Sequence, residues 1–226
     1  MASAIFLDTE TTTRGDDPQQ LQEVIQLAWL DWESQEIHER VFKPKVTARW
    51  GALAVHHILP SDLELARPAS EALACLPAAD FWVGHNIDFD WKALTSPPIR
   101  RICTLALARS VWPQLDSHSL GALTYFTKGA TEETRNLLRS AHDAKTDVNL
   151  CVDLYCLLCD ALRVPSDDFE RMFQLSEEAR VPKVMTFGKF KDMPISAVDR
   201  GYANWYRRQS DPDPYVLEAF RRQGLI

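Results

Sequence analysis

The sequence predicts an α/β domain built on a mixed sheet flanked by helices, followed by a small C-terminal α+β unit. Three strand-like segments come first, and strand-like and helical segments alternate further along the chain. This order is typical of a sheet with both antiparallel and parallel strands. The 226 residues also exceed the usual size of one domain. We therefore expect a first domain over 1–163, a linker or short helix over 164–182 and a small basic unit over 183–226.

The first three strands are expected at 4–8, 24–32 and 36–43. The first segment is a short apolar run before a Thr-rich turn, the second is apolar and partly alternating, and the third alternates weakly. Pro44 ends the third segment, because proline cannot donate a hydrogen bond to a strand ladder. Together these segments predict an antiparallel meander.

The rest of the first domain combines strands with helices. Two strands are expected at 81–85 and 101–104, and helices at 68–76, 88–94, 105–112, 119–126 and 144–162. Ser117 or Ser119 is suited to cap the fourth of these helices. The last helix has the clearest pattern, with apolar residues three and four positions apart at Val148, Val152, Tyr155, Cys159 and Leu162.

Composition limits where the protein is expected to act. The five cysteines are an odd set without the density of a disulfide framework, and no signal peptide is recognisable, so we expect a cytoplasmic protein. No apolar run approaches the roughly 20 residues of a membrane span, so no membrane partner is expected. The net charge of −7 disfavours phosphate binding, although residues 180–226 hold nine Lys or Arg against five acids.

The first candidate site is the sequence Asp8-Thr9-Glu10 at the end of the first strand. Side chains alternate between the two faces of a strand, so Asp8 and Glu10 point the same way and can share one divalent ion. Taken alone, the pattern is weak, because acidic residues in a turn after a strand are commonly just solvated.

The second candidate site follows the strand 81–85, where a helix is expected to begin. Asn86 or Asp88 can cap that helix, and this accounts for one of the two acids. Asp90 lies in the first helical turn, where the helix dipole favours a carboxylate, so a structural role for Asp90 is a serious alternative.

The third candidate site opens the helix 144–162. His142 lies just before the helix and can accept a proton near neutral pH, and Asp147 lies on the first turns and can bind a metal. The ordinary alternative is that Asp143 is the N-cap while Asp147 and His142 are surface residues.

The three sites together outweigh the separate alternatives, because each follows a strand or opens a helix, where an α/β sheet places its active site. The phrases FLDTETT, HNIDFDWKAL and HDAKTD resemble, in order, the three motifs of the DEDD exonucleases, histidine subclass. The resemblance covers residues 4 to about 162 and implies a ribonuclease H-like fold. Carried over by motif, it implies the catalytic residues Asp8, Glu10, Asp90, His142 and Asp147.

The resemblance also implies an activity and its cofactors. Four carboxylates, Asp8, Glu10, Asp90 and Asp147, would bind two Mg²⁺ or Mn²⁺ ions, because hard oxygen ligands select these ions and disfavour zinc. His142 would be the general base in a 3′–5′ exonuclease that releases nucleoside 5′-monophosphates from single-stranded or duplex DNA ends. An RNA-trimming enzyme and a catalytically silent nucleic-acid adaptor are the alternatives.

Four further residues are candidates for binding the substrate: Thr9, Thr11, His56 and Asn86. The segments 53–58 and 102–109 are similar to stretches of the family, and the first of them lies beside its terminal-nucleotide pocket. Packing of an apolar loop explains the segment 53–58 equally well. The chain departs from the family at two positions, where Thr13 replaces a glycine and Gln26 replaces the usual glutamate.

The C-terminal unit has a pattern of its own. Residues 186–191 and the helix expected at 199–209 are similar to a phrase found in one bacterial branch of the family. Two short apolar pieces around Gly188 and Pro194 predict a hairpin. Aromatic residues alternate here with Lys and Arg, which suits either a surface that binds nucleic acid or the small core of the unit itself. Oligomeric state is left open.

Overall fold

The computed structural model describes residues 2–14, 21–139 and 143–226. These residues form two compact units, the first up to Gln174 and the second from Leu175 to Ile226. The division falls inside the segment 164–182, for which a linker or short helix was predicted. The predicted boundaries at 163 and 183 stay predictions.

The first unit contains a mixed six-stranded sheet. Its strands are β1 (Ala4–Thr11), β2 (Val24–Asp31), β3 (Ile37–Lys43), β4 (Arg67–Pro68), β5 (Phe81–Gly84) and β6 (Arg100–Cys103), in the order β4-β3-β2-β1-β5-β6. The first three strands pair antiparallel, whereas β5 lies parallel to both β1 and β6. This topology confirms the predicted meander and the mixed sheet.

Seven helices are seen among the described residues up to 180. They are α1 (Trp50–His56), α2 (Asp88–Ala93), α3 (Thr104–Val111), α4 (Leu120–Lys128), α5 (Glu132–Leu138), α6 (Ala144–Leu162) and α7 (Phe169–Arg180). Ser119 caps α4 by accepting from Ala122 N, as predicted. Neither α1 nor α5 was predicted from the sequence.

The helix predicted over 68–76 is wrong. This segment contains β4 and two short 3₁₀ turns at Ala69–Glu71 and Leu73–Cys75. Pro77 follows this segment, and the residue before a proline is driven out of the helical region. Leu76 accordingly adopts an extended conformation, with φ −78° and ψ 139°.

Packing of α6 against the sheet brings the separate motifs together. Strand β2 is buried along nearly its whole length, and α6 packs across β1 and β2. Edge-to-face contact between Phe6 and Tyr155, with ring centroids 5.1 Å apart, fixes the helix over β1. At the end of β5, Gly84 permits close approach, because a Cβ there would lie 3.0 Å from the carbonyl oxygen of Leu7.

The C-terminal unit has its own small core. Its helices are α8 (Arg200–Tyr206) and α9 (Pro214–Arg222), of which α8 was predicted and α9 was not. The predicted hairpin is a single antiparallel bridge between Val184 and Pro194. One 3₁₀ turn, Gly188–Phe190, lies between the bridged residues, and another, Ile195–Ala197, follows Pro194. Within the described residues, no helix has the length and apolar character required to cross a membrane.

Candidate active site

The first acidic motif lies at the end of β1, and the third lies at the start of α6. Asp8 and Glu10 sit on one face of β1, and Glu10 is paired with Gln26 of β2. One carboxylate oxygen each of Asp8, Glu10 and Asp147 lie within 4.8 Å of one another. Two motifs separated by more than a hundred residues in sequence therefore meet in one acidic cluster, which we define as these three residues.

Asp147 owes its position to the first turn of α6. Its backbone N donates to the backbone O of Asp143 at 3.1 Å, which is the first hydrogen bond of the helix. Asp143 is the N-cap residue, as the ordinary alternative supposed, but its side chain makes no capping bond. The Asp147 carboxylate is a member of the acidic cluster, so Asp147 is more than a solvated surface residue.

Asp90 is held against β1 by Thr9. One oxygen of Asp90, Oδ1, accepts from the backbone N of Thr9 at 2.9 Å and from its hydroxyl at 2.7 Å. Asp90 is only 2% exposed. Asp88 instead pairs with Arg101 at 2.5 Å, so the two acids of the second motif have different surroundings. Neither Asn86 nor Asp88 caps α2, whose N-cap is Ile87.

Burial and mutual repulsion raise the pKa values of these carboxyl groups. The pKa of Glu10 is raised from 4.5 to about 8, first by burial and then by the charges of Asp147 and Asp90. Burial, followed by the charge of Asp90, also raises the pKa of Asp8 well above its usual range. The pKa of Asp90 is raised to about 7 by burial, although the hydrogen bonds from Thr9 lower it.

The acidic cluster fits a divalent cation. Crowded, partly buried carboxylates repel one another unless a positive charge lies between them. Every potential metal ligand in the cluster is a carboxylate oxygen, and Mg²⁺, Mn²⁺ and Ca²⁺ prefer oxygen ligands of this kind. The cluster can therefore hold a hard divalent ion, and Asp90 lies close enough for its charge to raise the pKa values of Asp8 and Glu10.

The remaining predicted site residues have mixed surroundings. His142 lies outside the described residues, so its role stays a prediction. Thr9 is engaged by Asp90, and the hydroxyl of Thr11 donates to the backbone O of Thr13 at 2.5 Å. His56 is 6% exposed, and among the described residues its Nε2 has no hydrogen-bond partner.

Asn86, the last substrate candidate, is exposed and adopts a left-handed conformation with φ 66°. Its substrate role stays a prediction. His85, its neighbour, contacts the Thr104 hydroxyl and the backbone O of His118, and burial lowers its pKa to about 4. His85 is thus a satisfied structural histidine.

One interaction near the acidic cluster was not predicted from the sequence. Gln26 was recognised only as a departure from the family pattern, yet its side chain binds both Asp143 and the backbone N of Ala144. The signal that could have found it is the residue type itself, a polar amide within an otherwise apolar strand.

In the C-terminal unit most of the aromatic residues belong to a small core. Phe190 and Tyr206 are buried in the core of this unit, and Phe187 and Tyr202 pack against it. Trp205 is 53% exposed. The prediction of a small core is therefore confirmed for most of these residues, and Trp205 is the exception.

The fold is ribonuclease H-like, and it is similar to the folds of solved exonuclease structures. A structure described as Exonuclease X in complex with 5′ overhanging duplex DNA matches with a TM-score of 0.60 at 21% identity, covering 76% of this chain and 99% of that chain. The zinc ion bound form of an E. coli ExoI–ssDNA complex matches with a TM-score of 0.57 at 19% identity, covering 81% of this chain and 44% of that one.

The chain is also similar in sequence to a known exodeoxyribonuclease. Exodeoxyribonuclease 10 of Escherichia coli strain K12 is 27% identical to this chain over 157 residues, which cover 68% of this chain and 69% of that protein. No family model matches the chain. The three motifs predicted a likeness to 3′–5′ exonucleases, and this likeness is confirmed. The predicted similarity to bacterial exodeoxyribonuclease X is confirmed as well.

Proposed function

We propose that this protein is a metal-dependent 3′–5′ exodeoxyribonuclease. The observation that carries the proposal is the meeting of Asp8, Glu10 and Asp147 in one cluster, with the buried Asp90 beside it. Four acids brought together from three distant segments are unfavourable for folding unless they bind cations. This arrangement therefore supports a catalytic site better than it supports a silent adaptor.

The residues divide the work of phosphodiester hydrolysis. Asp8, Glu10 and Asp147 would hold divalent ions together with Asp90, and Thr9 would orient Asp90. Bound Mg²⁺ or Mn²⁺ would supply Lewis-acid stabilisation of the scissile phosphate and lower the pKa of the attacking water. His142, which precedes the N-cap of α6 in sequence, would accept the proton of that water.

DNA is the proposed substrate. The relative is named an exodeoxyribonuclease, and both matched structures are described as complexes with DNA. RNA is the alternative substrate, cleaved by the same mechanism. Contacts between the protein and the 2′-hydroxyl of a bound strand would distinguish RNA from DNA. His56 is the substrate candidate that we favour, because its buried Nε2 has no hydrogen-bond partner among the described residues.

The two acids of the second motif supply a matched test. Asp90→Asn should abolish Mg²⁺-dependent release of mononucleotides, because the substitution removes a buried carboxylate beside the cluster. Asp88→Asn changes an acid two positions away that pairs with Arg101, and it should leave turnover within a few fold of wild type. Full activity of Asp90→Asn would refute the site assignment.

The identity of the ion is tested with the same assay. EDTA should stop digestion, and Mg²⁺ or Mn²⁺ should restore it. Zinc belongs in the panel because one matched structure is described as zinc-bound. Restoration by zinc alone would contradict the proposed preference for hard ions.

We further propose that the C-terminal unit helps to hold DNA. Its exposed Trp205 is 5.1 Å from the Tyr202 ring, which is itself 5.0 Å from Phe190. Lys189 and Arg208 are exposed basic residues of the same unit. An exposed indole in a unit that also exposes cationic side chains is suited to stack an unpaired base, while the cations contact phosphates.

A further inference from the structure

Gln26 links the sheet to the start of the helix that carries Asp147. Its side chain is 7% exposed and lies on β2, at the position paired with Glu10 of β1. Nε2 of Gln26 donates to Oδ1 of Asp143 at 3.0 Å, and Oε1 accepts from the backbone N of Ala144 at 3.3 Å. Both partners lie at the N-terminus of α6.

The Gln26 amide takes the place of an ordinary N-terminal cap. The first backbone N–H groups of a helix have no acceptor within the helix. The side chain of Asp143, the N-cap residue, accepts from none of them, and Ala144 is fully buried. Gln26 supplies the acceptor from a different element, so the helix start is fixed to β2.

This contact lies one helical turn from a member of the acidic cluster. The backbone N of Asp147 donates to the backbone O of Asp143, so displacement of Asp143 is passed directly to Asp147. At its other end, Gln26 is the cross-strand neighbour of Glu10. A single residue thus connects the positions of two acids that are far apart in sequence, through strand pairing on one side and its side chain on the other.

An amide is the group that these surroundings require. Nε2 of Gln26 also donates to the carboxylate of Glu39 on β3, so the NH₂ group lies between two acids. A glutamate at position 26 could still accept from Ala144, but it has no proton to donate to Glu39 or Asp143. It would place three carboxylates in mutual contact.

We propose that Gln26 is a positioning residue, which holds the start of α6 and thereby sets the place of Asp147 relative to Glu10. This inference rests on the proposed function, because it assigns Gln26 a role in the same metal site. Side chains that orient metal ligands typically change metal affinity or activity by about 10- to 100-fold when they are replaced.

Gln26→Glu in the full-length chain is the primary variant. We expect kcat for single-stranded DNA to fall by about 10- to 100-fold, with KM changed by less than about threefold, because the substrate-binding residues are not disturbed. Mn²⁺ affinity, measured by calorimetry without DNA, should fall by a similar factor. Hydrogen exchange of the Ala144 segment should become faster.

Rescue by a second substitution separates positioning from a general loss of stability. Asp143→Asn in the Gln26→Glu background restores a donor to the carboxylate on the α6 side, and kcat should return to within about threefold of wild type. Glu39→Gln relieves repulsion on the β3 side alone and should leave kcat low. Each single substitution at 39 and 143 serves as the control.

Gln26→Met provides an uncharged comparison in case the glutamate variant does not fold, and it should lower kcat and Mn²⁺ affinity without changing KM. Wild-type kcat and Mn²⁺ affinity in Gln26→Glu, or equal rescue by both second substitutions, would overturn the positioning role. If the wild-type protein digests no nucleic acid, the proposed function fails instead. Mn²⁺ affinity and Ala144 exchange still decide the role of Gln26.

Discussion

Glu10→Gln should stabilise the metal-free protein while it removes activity. The folded-state pKa of Glu10 is raised from 4.5 to about 8, chiefly by burial and then by Asp147 and Asp90. A carboxyl group with a raised folded-state pKa destabilises the folded state increasingly as the pH rises from the unfolded value to the folded value. The effect is absent below about pH 4.5 and complete above about pH 8.

The shift of Glu10 sets the expected magnitude. At about 1.4 kcal/mol for each pKa unit, the full shift corresponds to about 5 kcal/mol. Because Glu10 is only partly buried and solvent screens its charge, we expect about 1–3 kcal/mol at pH 8.5. For a chain of this length, that free energy raises the Tm by roughly 2–12 °C.

Thermal unfolding in EDTA at pH 8.5 and pH 5 measures this difference. Glu10→Gln should have the higher Tm at pH 8.5 and nearly the wild-type Tm at pH 5. Glu33→Gln, at an exposed position after β2, is the control and should change neither value. A lower or unchanged Tm of Glu10→Gln at pH 8.5 would show that the carboxylates of the cluster do not repel one another.

Three further predictions concern binding and turnover. In the same thermal scans, added Mn²⁺ should raise the Tm of the wild type at pH 8.5 by several degrees and the Tm of Glu10→Gln by much less. Equal shifts would argue against metal binding in the cluster. Thr9→Val removes the hydroxyl bond to Asp90 and should lower kcat by about tenfold in a steady-state assay, whereas wild-type kcat would exclude an orienting role for Thr9. Trp205→Ala should weaken binding of single-stranded DNA by about 5- to 100-fold in fluorescence anisotropy. Phe126→Ala, at another exposed aromatic residue, is the control. Equal affinities of Trp205→Ala and the wild type would refute the proposed role of the C-terminal unit.

The sequence was most informative where hydrophobic periodicity and short motifs coincide. The antiparallel strands and the long helix α6 follow from apolar spacing, and the acidic residues of the motifs were identified before their proximity was visible. The preference for Asp90 over Asp88 agrees with their different partners, Thr9 and Arg101. That preference came from the family motif, because residue type alone does not distinguish two aspartates two positions apart.

Other features depend on contacts that a linear pattern does not contain. Helix α5 is short and largely polar, and it begins at a Thr131 cap whose side chain accepts from Thr134 N. The segment 68–76 has helical composition, but it forms β4 and two short 3₁₀ turns, and Pro77 holds Leu76 in an extended conformation. Gln26 contacts Asp143 across 117 positions, so only the fold reveals its bonds to the start of α6.

The most direct test of the central claim is digestion of a 5′-labelled single-stranded DNA oligonucleotide in Mg²⁺, resolved to single nucleotides. We expect a ladder that shortens one nucleotide at a time from the 3′ end, free nucleoside 5′-monophosphates among the products, and no digestion by Asp147→Asn. Immediate release of the labelled terminal nucleotide, internal cleavage fragments, or an identical ladder from Asp147→Asn would contradict the account.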